Sequence, residues 1–218
     1  MRRTTCGMVA LLALWALPAM AAAENWTVSV QGGASVPSGD YGSEDKANAD
    51  AGWSMGASAD YAWNDSWAFG IDGSWGNNVH GTEGLVTDLG AGVTSTIDKA
   101  RFGTWQVGGH ARYLIPTGTA APVKWYGIVG AGFYGFGLDV TETVSSGGSP
   151  TSTTLSSSDK RAGMKLGLGG LWWANPKVGV NAGVDYHLAF LDKDESSFSS
   201  LSYAGAYIGL TFAIPKAE

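Results

Sequence analysis

Eight stretches of this chain, each roughly a dozen residues long, alternate apolar and polar side chains and are separated by turn-forming segments. In the seventh, Val178, Val180, Ala182, Val184, Tyr186, Leu188 and Phe190 fall on one face, and Gly179, Asn181, Gly183, Asp185, His187 and Ala189 on the other. Side chains of a strand point to opposite faces at period two, so each stretch has one oily and one polar face. The eight run over 25–36, 51–63, 67–76, 101–114, 123–140, 160–173, 178–190 and 201–214. Each covers the about 9 to 11 tilted residues with which a strand crosses a bilayer. The pattern predicts an all-β chain, an eight-stranded antiparallel up-and-down transmembrane β-barrel.

The amino end reads as a cleavable export signal. Met1 to Ala23 carry a basic start (Arg2, Arg3), an apolar run from Met8 to Met20 and small residues, Ala21-Ala22-Ala23, before Glu24. That is the order of a secretory signal peptide, with cleavage expected after Ala23 and the barrel domain over 24–218. No other stretch approaches the roughly 18 uninterrupted apolar residues of a spanning helix. Cys6, the only cysteine, lies inside the signal, so the mature chain has no thiol for disulfide, metal or nucleophile chemistry. Losing Arg2 and Arg3 takes the formal charge from −6 to −8, which argues against nucleic acid as a partner. Thirty-three glycines, ten tryptophans and only 15% charged residues suit a thin-walled barrel with aromatic belts and a narrow lumen.

The connections alternate in length. With the amino terminus in the periplasm, the periplasmic ones are short: Asn64-Asp65-Ser66, a turn around Pro116 to Pro122, and Asn175-Pro176. The extracellular ones, 37–50, 77–100, 141–159 and 191–200, are long and polar. This is the asymmetry of bacterial barrels. Aromatic residues gather beside the short turns: Trp26, Trp63, Trp67, Tyr113, Trp125, Tyr126, Trp172 and Trp173 read as a periplasmic girdle, with Trp53, Trp75 and Phe190 in the opposite one.

In the same register Asp60, Asp72, His110, Arg112, Arg161, Lys165, Asp185, His187, Gln31 and Gln106 face inward. A Lys or Arg facing lipid at the midplane costs roughly 2 to 4 kcal/mol, so this segregation follows if the outer face is lipid. A hairpin about Asn175-Pro176 that sets Trp172 opposite Val178 places Lys165 opposite Asp185 and predicts an ion pair between them. Gly56, Gly70, Gly127, Gly163, Gly167, Gly183, Gly205 and Gly209 read as inward positions that leave room for water.

With these features in place the chain, from Asn25 to Ile214, resembles the small eight-stranded outer-membrane barrel superfamily, the OmpA/OmpX/OmpW-like group. Gly32-Gly33-Ala34-Ser35-Val36-Pro37-Ser38-Gly39-Asp40-Tyr41 is similar to the end of strand one and the start of the first loop in such proteins. Tyr207-Ile208-Gly209-Leu210-Thr211-Phe212-Ala213-Ile214 resembles the barrel-assembly signal, with Tyr207, Gly209, Phe212 and Ile214 as its marked positions. The resemblance implies recognition by the outer-membrane assembly machinery. The chain departs from the pattern in having Ile214 where an aromatic is usual, followed by Pro215-Lys216-Ala217-Glu218.

Catalysis has few candidates. A Ser/His/acid site needs the base within reach of its nucleophile. Neither His187 with Asp185 nor His110 with Arg112 has an inward Ser nearby in its own strand, and the His-x-Ser of acyl-ester-cleaving barrels reads here His187-Leu188-Ala189. The loop carboxylates Asp40, Glu44, Asp45, Asp50, Glu83, Asp88, Asp98, Asp192, Asp194 and Glu195 lack calcium-loop spacing and read as solvated charge. Ser145 to Ser158 is low in complexity and reads as a mobile loop.

The expectation is a monomeric, non-enzymatic protein of a Gram-negative-type outer membrane, without cofactors. Its neighbours would be membrane lipid and lipopolysaccharide, and its role envelope structure or surface contact through four extracellular loops. A narrow porin-like channel is the alternative, a lipid A modifying enzyme a further one, and a soluble lipocalin-like barrel a fourth.

Overall fold

The computed structural model describes residues 25–43, 48–81, 84–90, 92–116, 122–146, 149–190 and 200–214. The expected signal peptide, Pro215 to Glu218, and the carboxylates Glu44, Asp45, Glu83, Asp192, Asp194 and Glu195 lie outside them. Among the described residues nine strands form: β1 (Trp26–Ser38), β2 (Ala49–Ala62), β3 (Trp67–His80), β4 (Val86–Gly90), β5 (Val93–Leu114), β6 (Val123–Ser146), β7 (Ser149–Asn175), β8 (Val178–Phe190) and β9 (Ser200–Ala213). Eight are barrel staves. Every neighbouring pair is antiparallel, β3 pairs with β5, and β1 pairs with β9 to close the cylinder. The ninth, β4, is a short strand hairpinned to β5 within the second extracellular connection.

Alternation decides which side chains go inside. Along β8, Gly179, Asn181, His187 and Ala189 are buried, whereas Ala182, Val184, Tyr186 and Phe190 are exposed. The exposed face is the apolar one: Ile71 is 67% exposed, Phe133 65%, Leu168 62% and Ile208 64%. An inverted, oily exterior over a polar interior is what a lipid solvent requires, and it excludes the soluble lipocalin-like arrangement.

Two aromatic rows bound this apolar band. Trp67 and Tyr113 are paired near the periplasmic turns, at 5.0 Å between ring centroids. Trp75 and Trp105 are paired near the extracellular end, with Trp53 packed edge-on against Trp75 at 4.9 Å. The eight residue steps from 67 to 75 correspond to about 26 Å of strand, shortened by tilt, which matches the apolar band of a barrel. Trp105 joins the upper girdle beyond the three residues expected there. Tyr126, expected in the lower one, is 1% exposed and points into the lumen.

Two of the periplasmic turns share one device. Asn64 Oδ1 accepts from the amides of Ser66 and Trp67 at 2.9 and 2.8 Å, and Asn175 Oδ1 accepts from those of Lys177 and Val178 at 2.9 Å each. The turn at Asn175 corrects the expected register. Asn175 pairs with Val178, a bulge follows between Trp173 and Asn175, and Trp172 therefore meets Val180 rather than Val178. Lys165 lies opposite His187, and Asp185 opposite Gly167, two residues from the predicted pairing.

Three staves outgrow the membrane. β5, β6 and β7 are 22, 24 and 27 residues long. Their upper ends, with β4, make a four-stranded extracellular sheet where long loops were expected. Residues 149–158 of the Ser/Thr-rich segment are strand, paired with 137–146. Threonine favours the pleated conformation, and a segment polar on both faces carries no alternation to reveal it.

Candidate functional site

Lumen side chains fill the barrel in layers. At the periplasmic end Ser29 Oγ and Thr211 Oγ1 are hydrogen-bonded at 2.9 Å, and the hydroxyls of Tyr126 and Tyr207 at 3.0 Å. Arg112 stacks its guanidinium over the Tyr126 ring, 4.6 Å from the centroid. Its Nη2 lies 3.3 Å from Asp60 Oδ2. From there a charged chain crosses the barrel. Asp60 Oδ1 is 2.6 Å from His110 Nε2, His110 Nδ1 is 2.8 Å from Asp72 Oδ1, and Asp72 Oδ2 is 2.7 Å from Lys165 Nζ. Both nitrogens of His110 face carboxylates, an arrangement fully satisfied when the ring carries two N–H donors. Ser58 Oγ donates to Asp60 at 3.2 Å. The network thus links β2, β3, β5 and β7.

The structure brings together five of the seven residues expected in the lumen network, Asp60, Asp72, His110, Arg112 and Lys165. It separates Asp185 and His187 into a second cluster nearer the outside. The expected Lys165/Asp185 ion pair is replaced by Lys165 with Asp72, because the two-residue shift at the β7–β8 turn moves Asp185 away from Lys165. Asp185 Oδ2 lies instead 3.2 Å from His187 Nε2, whose Nδ1 bonds the Tyr134 hydroxyl at 3.1 Å. The His187 ring stacks on Tyr203 at 4.5 Å. With both nitrogens engaged, His187 has none aimed at a serine, as acyl chemistry would need.

The inward glycines do not leave the lumen open. They are the floor on which the large residues lie. A Cβ on Gly70 would meet the His110 ring at 2.9 Å, on Gly130 the Lys165 Cε at 2.9 Å, on Gly163 the Tyr134 ring at 2.7 Å, and on Gly183 the Tyr207 hydroxyl at 2.6 Å. Gly127, expected inside, alternates with buried Tyr126 and faces outward beside Leu168. Among the described residues, Ser54, Ser74, Asp185 and His187 are part of the lining of an interior cavity of about 30 Å³. That is space for one or two waters.

The extracellular mouth is capped by the first loop. Gly39–Tyr41 form a 3₁₀ turn that drives Tyr41 to 0% exposure against Phe102 and Phe136, at 5.3 and 6.3 Å between centroids. Its hydroxyl donates to Asn78 Oδ1 at 3.4 Å, and Asn78 Nδ2 donates to the carbonyls of Ser35 and Asp50. Burial pushes the Tyr41 phenol pKa upward. Sequence reasoning missed this plug. Its signal was an aromatic residue closing a loop motif otherwise made of small and polar residues.

Among the described residues no group of three or more His, Asp, Glu or Cys side chains could hold a metal ion. The assembly-signal positions are spread over both faces of β9. Tyr207 and Gly209 point inward, Phe212 is 40% exposed on the lipid side, and Ile214, just past the strand, donates its amide to Trp26 O at 2.9 Å.

A closed eight-stave barrel with a polar lumen and girdled exterior has known counterparts. The family model described as the outer membrane protein beta-barrel domain matches residues 8–213. The chain belongs to this family. Such membership places this outer-membrane barrel in a Gram-negative-type envelope. Among solved structures, Neisserial surface protein A (NspA) is 18% identical with a TM-score of 0.52, over 86% of this chain and 96% of that one. OprG from Pseudomonas aeruginosa is 12% identical with a TM-score of 0.51, over 88% and 97%. At these identities the likeness is one of fold. Comparison with curated proteins finds no match.

Proposed function

We propose that this outer-membrane barrel is a closed, non-enzymatic monomer that works by surface contact, through the sheet that β4 to β7 raise above the membrane. The observation that carries this reading is the extension of β7. β8 pairs with β7 only from Gly163 onward, so among the described residues the outer edge of 149–162 has no strand beside it. Exposed edges accept strands from other chains. The outward face of the sheet is a ladder of hydroxyls, with Thr141 bonded to Thr154 at 3.2 Å and Thr143 to Ser152 at 2.6 Å. The lumen network and the Tyr41 plug support closure. Recognition of β9 by the assembly machinery, through Tyr207, Gly209, Phe212 and Ile214, belongs to the same reading.

The test has two arms. In a planar bilayer, refolded protein lacking residues 1–23 is expected to give no conductance, whereas discrete reproducible steps would favour the narrow channel. In a non-adherent host strain, the barrel is expected to confer adhesion that disappears when 141–154 is replaced by a tight turn, with heat-dependent gel mobility retained. Adhesion that survives the replacement would overturn the surface-contact role.

A further inference from the structure

The sheet that β4 to β7 raise above the membrane has two outer edges, and they are built differently. One belongs to β4, which is five residues long, carries Asp88 and breaks its ladder with β5 between Asp88 and Gly90. Gly90 has φ +83° and donates its amide to Asp88 Oδ1 at 2.8 Å, so the strand turns away there. Shortness, charge and irregularity are devices that keep an edge from pairing with another chain. The β7 edge is long and regular. β6 and β7 pair without a bulge from Ser146 and Ser149 down to Val123 and Trp172. From Thr151 to Ser158 every residue is exposed, and none is charged, proline or glycine. Threonines without charge, proline or glycine are the composition of segments that pair with copies of themselves.

The apolar residue of that window sets a register. Leu155 is 68% exposed and lies beside Val140 across the ladder. Two copies of one edge can pair antiparallel about a two-fold axis perpendicular to the sheet, and directly opposite residues then share a face. An axis through Leu155 sets Leu155 against Leu155 and Thr153 against Ser157, and the two leucines shield each other from water. Asp159 then meets Thr151, so the first charge of each strand faces a hydroxyl rather than its like. The paired stretch, 151–159, is about 30 Å long.

Strand direction decides where the second copy stands. β7 descends toward the periplasmic turn at Asn175, so copies in one membrane present parallel edges, with Lys160 level with Lys160 and Asp159 level with Asp159. Like charges side by side are destabilising. Copies in two membranes that face each other present antiparallel edges, which is what the two-fold axis requires. One such pair of strands is weak, and many across a contact between two membranes reinforce one another.

We propose that residues 151–159 of β7 pair with the same residues of a second copy in an opposing membrane, about a two-fold axis through Leu155. This names a partner for the surface-contact role and rests on that reading. The barrel remains a monomer within its own membrane.

The test uses the barrel lacking residues 1–23, refolded one per phosphatidylcholine nanodisc so that both faces are open to solvent, with disc pairing followed by sedimentation velocity as concentration rises. Wild-type discs are expected to pair. Cys6 falls in the removed segment, so Leu155→Cys introduces a single thiol. On oxidation it should give disulfide-linked dimers, and Thr151→Cys about tenfold fewer, because residue 151 faces 159 rather than itself. Thr153→Lys with Ser157→Lys sets lysine opposite lysine and should abolish pairing, as should Thr153→Glu with Ser157→Glu, whereas a mixture of the two variants should pair again. Heat-dependent gel mobility verifies that each variant is a barrel. Wild-type discs that stay single at every concentration, undiminished pairing of the folded lysine variant, or equal dimer yields at 151 and 155 would overturn the proposal. If the adhesion assay still shows loss on replacement of 141–154, the surface-contact role stands with a foreign chain as partner, so the two failures are distinguishable.

Discussion

Lys165 and Asp72 meet at 2.7 Å from staves three positions apart around the barrel, so one ion pair ties β7 to β3 across the lumen. Both side chains are at most 10% exposed. Removing one partner of a buried pair leaves an uncompensated charge, which costs about 3 to 5 kcal/mol. Lys165→Met is expected to lower stability by that order in urea unfolding of the detergent-refolded barrel. Adding Asp72→Asn should cost less than the sum of the single changes, because the two share one interaction.

The glycine floor makes a sharper contrast. Gly205 lies directly under the Asp185 carboxylate, whereas Gly103 has open space above it. Gly205→Ala is expected to push Asp185 off its bond to His187 and destabilise by about 1 to 3 kcal/mol. Gly103→Ala should be neutral or stabilise slightly, since it only narrows the unfolded ensemble. The same urea series measures both.

The β7–β8 register is open to a chemical check, because Cys6 is the only cysteine of the sequence. Leu168 and Val184 are cross-strand partners. Cysteines at 168 and 184 should form a disulfide after folding, whereas cysteines at 168 and 182, the pairing of the register expected from sequence, should not. Asn175→Ala, which removes acceptors for two amides, is expected to cost about 1 kcal/mol and to lower refolding yield.

Tyr41 should give the plug a signature at alkaline pH. Its pKa is raised in the folded state by burial, so the unfolded chain ionises first. Stability from this group is complete below the ordinary tyrosine pKa of about 10 and is lost as pH rises above it. In ultraviolet titration the folded wild type is expected to retain one more protonated tyrosine near pH 11 than a variant with the plug displaced. Tyr41→Phe should lessen the fall in stability between about pH 10 and 11.5. An identical alkaline profile for Tyr41→Phe would show the phenol to be solvated.

Alternation made the eight staves and their inward residues legible, since Asp60, His110, Arg112 and Lys165 could not be placed against lipid. The pairing of those residues was not legible. Whether Lys165 meets Asp185 or Asp72 depends on the tight turn that pairs Asn175 with Val178, on the bulge at Ala174 and on the stagger of staves around the cylinder, none of which leaves a local mark in the sequence. Glycine was ambiguous for a similar reason. Gly183 alone suggests space, and only the position of Tyr207 reveals that the space is taken. Thr151 to Ser158 hid a strand because both of its faces are wet.

β7 runs without interruption from Ser149 to Asn175, so the surface sheet and the wall of the barrel share one ladder of backbone hydrogen bonds. A pull on its outer end would load that ladder in shear, with many bonds resisting together, rather than unzip them singly. The outer part of the molecule is in effect a rigid mast stepped in the membrane, and the direction in which it faces is set by the tilt of the stave below it.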